Sequence, residues 1–187
     1  YVILNNCIYN YHKMKFNHIG LLSAMPEEIG TITNYLKDIK KTSFGDFKIY
    51  SGIWKKDEDQ FIYLSVAFSG WGKVSAARAT TRLISIAYKN VPVELILFTG
   101  VAASAQENIK QWDIVLGECL IQHDMDATPL FDKFVIPSLN KKELVPPKKI
   151  FEFLFEKFKE FDTFFEQSNF GMVKRGVIAS GDQFVSD

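Results

Sequence analysis

The sequence predicts an α/β protein with three layers, α/β/α, around a mixed central sheet. Two observations carry this. Short apolar runs of strand length recur at His18–Ala24, Val93–Thr99, Asp113–Ile121 and Lys174–Ser180, with segments of helical character between them. An early pair of runs, Lys48–Trp54 and Gln60–Phe68, flanks the charged stretch Lys55–Asp59 and reads as a hairpin, which makes the sheet mixed. The last run passes into Ser180-Gly-Asp-Gln-Phe-Val185, a strand entering a Gly-Asp turn, and the sequence stops at Asp187. One helical layer is therefore expected to be incomplete, and the chain to be the front part of an enzyme.

Each element has its own signal. Pro26 follows the first strand where a helix can begin, because a proline in the first turn forfeits no hydrogen bond. That helix is expected to reach about Ile39. Gly72–Lys89 is a second predicted helix, with Ala76, Ala77 and Ala79 as a small-residue face for close packing on a sheet. Pro146–Gln167 is a third, in which Leu154, Phe158, Phe161 and Phe165 recur at steps of three and four and form a core or subunit-contact stripe. Residues 1–13 read as a leader outside the domain, which is taken to span 14–187 with Met14 as the candidate start.

Bulk properties exclude several classes. The 187 residues carry 22 basic and 22 acidic side chains, for a formal net charge of zero, so no broad electrostatic footprint for nucleic acid or an anionic membrane is expected. No apolar run approaches the roughly 18 residues that span a bilayer. Two distant cysteines, Cys7 and Cys119, and the lack of a secretory leader predict reduced thiols in a cytoplasmic protein.

Three segments carry chemistry. His18-Ile-Gly-Leu-Leu-Ser-Ala-Met-Pro-Glu-Glu28 delivers a methionine and two carboxylates to the carboxyl edge of a strand, where open α/β folds place ligands. The competing reading is structural, since glutamates in a first helical turn are favoured by the macrodipole alone. Phe68-Ser-Gly-Trp-Gly-Lys73 leaves a strand and enters a helix, and its glycines let backbone approach a ligand. It matches neither G-x-x-x-x-G-K-[ST] nor G-x-G-x-x-G, so triphosphate-loop and dinucleotide readings fail. The terminal Ser180-Gly-Asp is ordinary turn chemistry on its own.

Taken in order with Thr99-Gly-Val-Ala102 and Gln122-His-Asp-Met-Asp126, these segments resemble the 5′-methylthioadenosine/S-adenosylhomocysteine nucleosidases of the nucleoside phosphorylase superfamily, from about Lys15 to Asp187. The resemblance implies hydrolysis of the bond between adenine and ribose, without cofactor or metal, in a cytoplasmic homodimer. It implies Glu28 as the water-activating carboxylate, Met25 against the sugar and Val101 in the chamber wall near the ribose. Phe184 is expected to stack on adenine, with the Val185 backbone reading the purine edge. Trp71, with Ala127 and Leu130 reaching across the dimer, is expected to line the alkylthio pocket. His123 and Asp124 are expected to shape the site or an interface.

Departures from the family pattern carry expectations too. The second glutamate, on a Met-Glu segment, and the acid aspartate, in a Ser-Asp motif, are expected beyond Asp187; neither Asp182 nor Asp187 matches them. The chain alone is thus expected to be inactive or nearly so. Ala103 stands where the pattern has glycine, and Trp71 and Leu130 differ in size from the usual residues. A phosphorolytic relative is the nearest alternative, disfavoured because Pro26-Glu-Glu28 sets negative charge where phosphate must enter. A non-catalytic, adenine-binding fragment is the other.

Overall fold

A computed structural model describes residues 16–55, 60–162, 171–183 and 185. The predicted leader, with Met14, lies outside them, as do Phe165 and Phe184. The chain divides into two compact units, one ending at Ala102 and the other beginning at Ala103.

The first unit is built on a five-stranded sheet. Its strands are β1 (His18–Ser23), β2 (Lys37–Phe44), β3 (Phe47–Lys55), β4 (Phe61–Phe68) and, last, one spanning Leu95–Phe98. Two short strands, β5 (Ala87–Tyr88) and β6 (Val91–Pro92), pair with each other and precede that last strand, which is β7. The spatial order is β2-β3-β4-β1-β7. β1 runs parallel to β4 and β7, with Leu21 opposite Val66 and Leu97, while β3 is antiparallel to both its neighbours, β2 and β4. The expected hairpin and mixed sheet are both present.

All six residues of β1 are buried, as befits a strand covered on both faces. Alternation then sorts the core. Ile19 and Leu21 join Ile32, Leu36, Trp54, Ile62, Leu64 and Val66 on one face. Leu22 joins Phe47, Ile49, Ala67, Ala79, Leu83 and Ile86 on the other. Ala79 and Leu83 belong to a helix over Lys73–Ile84 that closes this second face.

Two helix expectations are corrected here. The helix after β1, named α1, is one turn, Pro26–Ile29, and ends where Gly30 turns to φ 57°. A 3-10 turn at Ile32–Tyr35 follows, and Lys37–Phe44 is strand rather than helix. Ile32 and Leu36 still reach the core, but beyond them pairing with β3 outweighs the helical spacing. The helix at Lys73–Ile84, named α2, stops short of Lys89 because Ala87–Tyr88 is extended. Within it Ala79 is buried and Ala77 is exposed, so the small-residue face is narrower than expected.

In the second unit β8 (Ile114–Gln122) runs parallel to β10 (Val173–Ser180), and β9 (Glu143–Leu144) is antiparallel on the other side of β8. α3 covers Lys148–Lys159 within the longer predicted span. Phe151, Leu154 and Phe161 are buried while Phe158 is only partly so; the stripe is core at its centre. The Arg175 guanidinium lies 4.1 Å from the Phe155 ring centroid and pairs with Glu152 at 2.6 Å, tying α3 to β10. Among the described residues no helix is long and apolar enough to cross a membrane.

Candidate functional site

Three adjacent parallel strands end at one edge of the first sheet. The chain leaves β1 at Ser23, β4 at Phe68 and β7 at Phe98. Backbone bonds hold the loops that follow. Ser69 N–H donates to Ser23 C=O at 2.8 Å, Gly70 N–H to Ala24 C=O at 3.0 Å, and Thr99 N–H to Leu22 C=O at 2.9 Å. Gly72, at φ 92°, lets the second loop turn into α2, a conformation a side chain would strain.

Glu28 stands at the centre of this edge. Its Oε2 accepts from Ser23 Oγ at 2.5 Å, Ala24 N–H at 2.8 Å and Met25 N–H at 3.0 Å. Its Oε1 accepts from Val101 N–H at 3.2 Å. Burial alone acts to raise the carboxyl pKa and is the largest single influence. The bonds from Ser23, Met25, Val101 and Ala24 together outweigh it and hold the group below the usual glutamate value. Glu28 is therefore a carboxylate at neutral pH, which is the state a general base requires.

The structural reading of Glu28 accounts for only part of this geometry. The Met25 N–H contact is the reciprocal half of a helix capping arrangement. Capping does not call for a donor from 73 residues away, however, and Val101 supplies one. Nor does it call for the gap at Gly100, where an added Cβ would meet Glu28 Oε1 at 2.9 Å.

The sequence-predicted residues of the first unit converge on this edge. Met25 is partly buried at the start of α1, Trp71 is 70% exposed in the Ser69–Gly72 loop, and Val101 is 81% exposed beside the carboxylate. In the second unit, Ala127 is partly buried and Leu130 is exposed in the loop after β8, and Val185 is exposed after β10. Phe184 falls outside the described residues. The two loops are joined: His123 N–H donates to Ser180 C=O at 3.1 Å and Asp182 N–H to Asp124 Oδ2 at 2.8 Å. His123 and Asp124 thus hold the Ser-Gly-Asp turn in place. Among the described residues no three His, Cys, Asp or Glu side chains form a metal-ligand set.

Two contributors escaped the sequence reading. Ser23 is fully buried and gives Glu28 its shortest hydrogen bond. Its sequence signal was a lone hydroxyl closing an apolar strand, five residues before a glutamate. Gly100 matters by its lack of a side chain, and a Thr-Gly step after a strand is too common to single it out.

An α/β unit whose parallel strands bring a carboxylate and a glycine-flanked loop to one edge has the arrangement in which open α/β folds place ligands, at the carboxyl ends of strands. Residues 18–187 match the model of the phosphorylase superfamily, and the chain belongs to that family. It is 30% identical over 169 residues to a 5′-methylthioadenosine/S-adenosylhomocysteine nucleosidase of Haemophilus influenzae, covering 90% of this chain and 66% of that protein. It is 32% identical over 168 residues to an aminodeoxyfutalosine nucleosidase of Helicobacter pylori, covering 89% of this chain and 65% of the relative. The chain thus spans just under two thirds of the length of these relatives. Among solved structures, the nucleosidase of Neisseria meningitidis in complex with methylthio-immucillin-A superposes with a TM-score of 0.73 at 25% identity, over 92% of this chain and 68% of the other. The α/β class and mixed sheet expected of such a nucleosidase are those of the structure.

Proposed function

We propose that this protein hydrolyses the N-glycosidic bond of adenine nucleosides carrying a 5′ thioether, 5′-methylthioadenosine and S-adenosylhomocysteine, with Glu28 as general base. The observation that carries the reading is the Glu28 carboxylate, held ionised by four donors with Oε1 the less occupied oxygen. In the reaction, Oε1 takes a proton from water as the water oxygen bonds to C1′. The C1′–N9 bond breaks and its electron pair passes to adenine, which is protonated at N7 by an acid that none of the residues assigned here supplies. Adenine and the thioether sugar are released. The names of the Haemophilus and Neisseria relatives support this substrate class. The Helicobacter relative supports a second reading within the same chemistry, an aminodeoxyfutalosine nucleoside in place of the thioether.

Met25 and Val101 are proposed to flank the ribose, Trp71 the 5′ substituent, and Phe184 and the Val185 backbone the purine. We further propose a cytoplasmic homodimer in which Ala127 and Leu130 complete the partner's 5′ pocket. The exposure of Trp71, Val74 and Leu130 at 70%, 80% and 85% supplies apolar surface that such an assembly would cover.

Water is favoured over phosphate as nucleophile because Glu27 and Glu28 place negative charge beside the sugar position. Adenine release by the protein at its native length, assayed with and without inorganic phosphate, tests this. Equal rates in phosphate-free buffer are expected; a rate that rises in proportion to phosphate would identify a phosphorylase. Adenine binding without turnover would leave the binding-fragment reading standing.

A further inference from the structure

The donors around Glu28 are unequal in origin. Ala24 and Met25 contribute backbone N–H groups, which almost any residue at those positions would supply. The Ser23 hydroxyl depends on the identity of its residue. Ser23 ends β1, its side chain is fully buried, and its single proton has two acceptors within reach: Glu28 Oε2 at 2.5 Å and Met25 C=O at 3.4 Å. Charge and distance both favour the carboxylate.

The consequence is asymmetry in the carboxylate. A carboxylate oxygen offers about two lone-pair directions. Oε2 already receives three donors, whereas Oε1 receives only Val101 N–H at 3.2 Å. A proton arriving from water finds room on Oε1 alone. Without the hydroxyl, Oε2 would keep the Ala24 and Met25 N–H groups but lose its shortest donor, so the ionised form would be less favoured.

We infer that Ser23 is a positioning residue for the general base, its hydroxyl the shortest of the three donors that hold Oε2 in the ionised carboxylate and leave Oε1 toward the proton it takes. The inference rests on the reading of Glu28 as base given above. It extends that reading to a residue that touches neither substrate nor water.

The test titrates Glu28 directly and needs no turnover. Protein labelled with 13C at the glutamate carboxyls is followed by NMR from neutral to acid pH, with the Glu28 resonance assigned by its loss in Glu28→Gln. In Ser23→Ala, and again in Ser23→Gly, the Glu28 midpoint is expected to move to higher pH, because one donor to the ionised form has gone. The acid limb of the adenine-release profile moves the same way, so that at a pH on that limb the variant loses about tenfold relative to its own plateau. A purely structural role would lower Tm and move neither. An unchanged Glu28 midpoint in both folded variants overturns the inference while leaving the base reading intact. Full activity in Glu28→Gln overturns the base reading instead, whatever the titration shows.

Discussion

Gly100→Ala probes the site through a single added carbon. Gly100 does not adopt the left-handed backbone that would exclude alanine, so the substitution acts by contact alone. The new Cβ would lie 2.9 Å from Glu28 Oε1, 3.3 Å from Cδ and 3.4 Å from Oε2. Ordinary contact begins near 3.4 Å, so Oε1 must retreat by 3.4 − 2.9 = 0.5 Å. The Val101 N–H bond, already the longest of the four at 3.2 Å, is the one that breaks. A misplacement of about 1 Å costs on the order of a hundredfold in rate, so half that distance predicts about tenfold in kcat. Stability should change by less than about 1 kcal/mol, since the end of a flexible side chain yields rather than backbone. Steady-state kinetics and thermal unfolding of the same preparation decide the matter. A kcat within twofold of wild type would refute the placement of Glu28 against Gly100. A loss of several kcal/mol in stability would show that the glycine serves the fold instead.

Two further predictions concern the first sheet. His18 is fully buried between Val91 C=O, 2.8 Å from Nδ1, and Ser65 Oγ, 2.7 Å from Nε2. Burial lowers its pKa, opposed by the Val91 bond, the Glu94 charge and a Pro92 bond. The unfolded chain therefore binds the proton first: stability is full above the ordinary histidine value and falls as pH drops below about 6.5, by at most about 1.4 kcal/mol per unit. Thermal melts at pH 7.5 and 5.5 should show this slope, and it should flatten in His18→Gln; an equal slope in both would remove His18 from the account. Gly20→Ala would set a Cβ 2.8 Å from Leu83 Cδ2 and 3.1 Å from Val93 Cγ1, between β1 and α2. Overpacking should cost about 1–3 kcal/mol and be partly relieved by Leu83→Ala in the double variant; additive losses would contradict the packing described.

The central strands β1 and β4 were legible because their apolar runs are short and largely buried. β1 and β4 were placed to within a residue on that pattern alone. The stretch from Ile29 to Ile39 was not. Ile29, Ile32, Leu36 and Ile39 follow helical spacing, yet Gly30 breaks the turn and Lys37–Phe44 pairs with β3. Lys37, Lys40 and Lys41 are the signature that was available, since exposed edge strands carry lysine. At the site, Glu28 was readable from its place after a strand, but a strand-to-helix glutamate looks the same whether it caps or catalyses. What separates the two readings is Val101 N–H and the space over Gly100, contacts made across 70 residues of sequence that no local pattern encodes. Ser23 was hidden for the same reason: its role depends on where Glu28 folds back.

The most direct test of the account is adenine release from 5′-methylthioadenosine by the protein at its native length and by its Glu28→Gln variant, which keeps an oxygen to accept hydrogen bonds and removes the base. A loss of two to four powers of ten in kcat with Tm nearly unchanged is the predicted result. Release by Glu28→Gln within a few fold of wild type would contradict the assignment of Glu28 as the group that activates water.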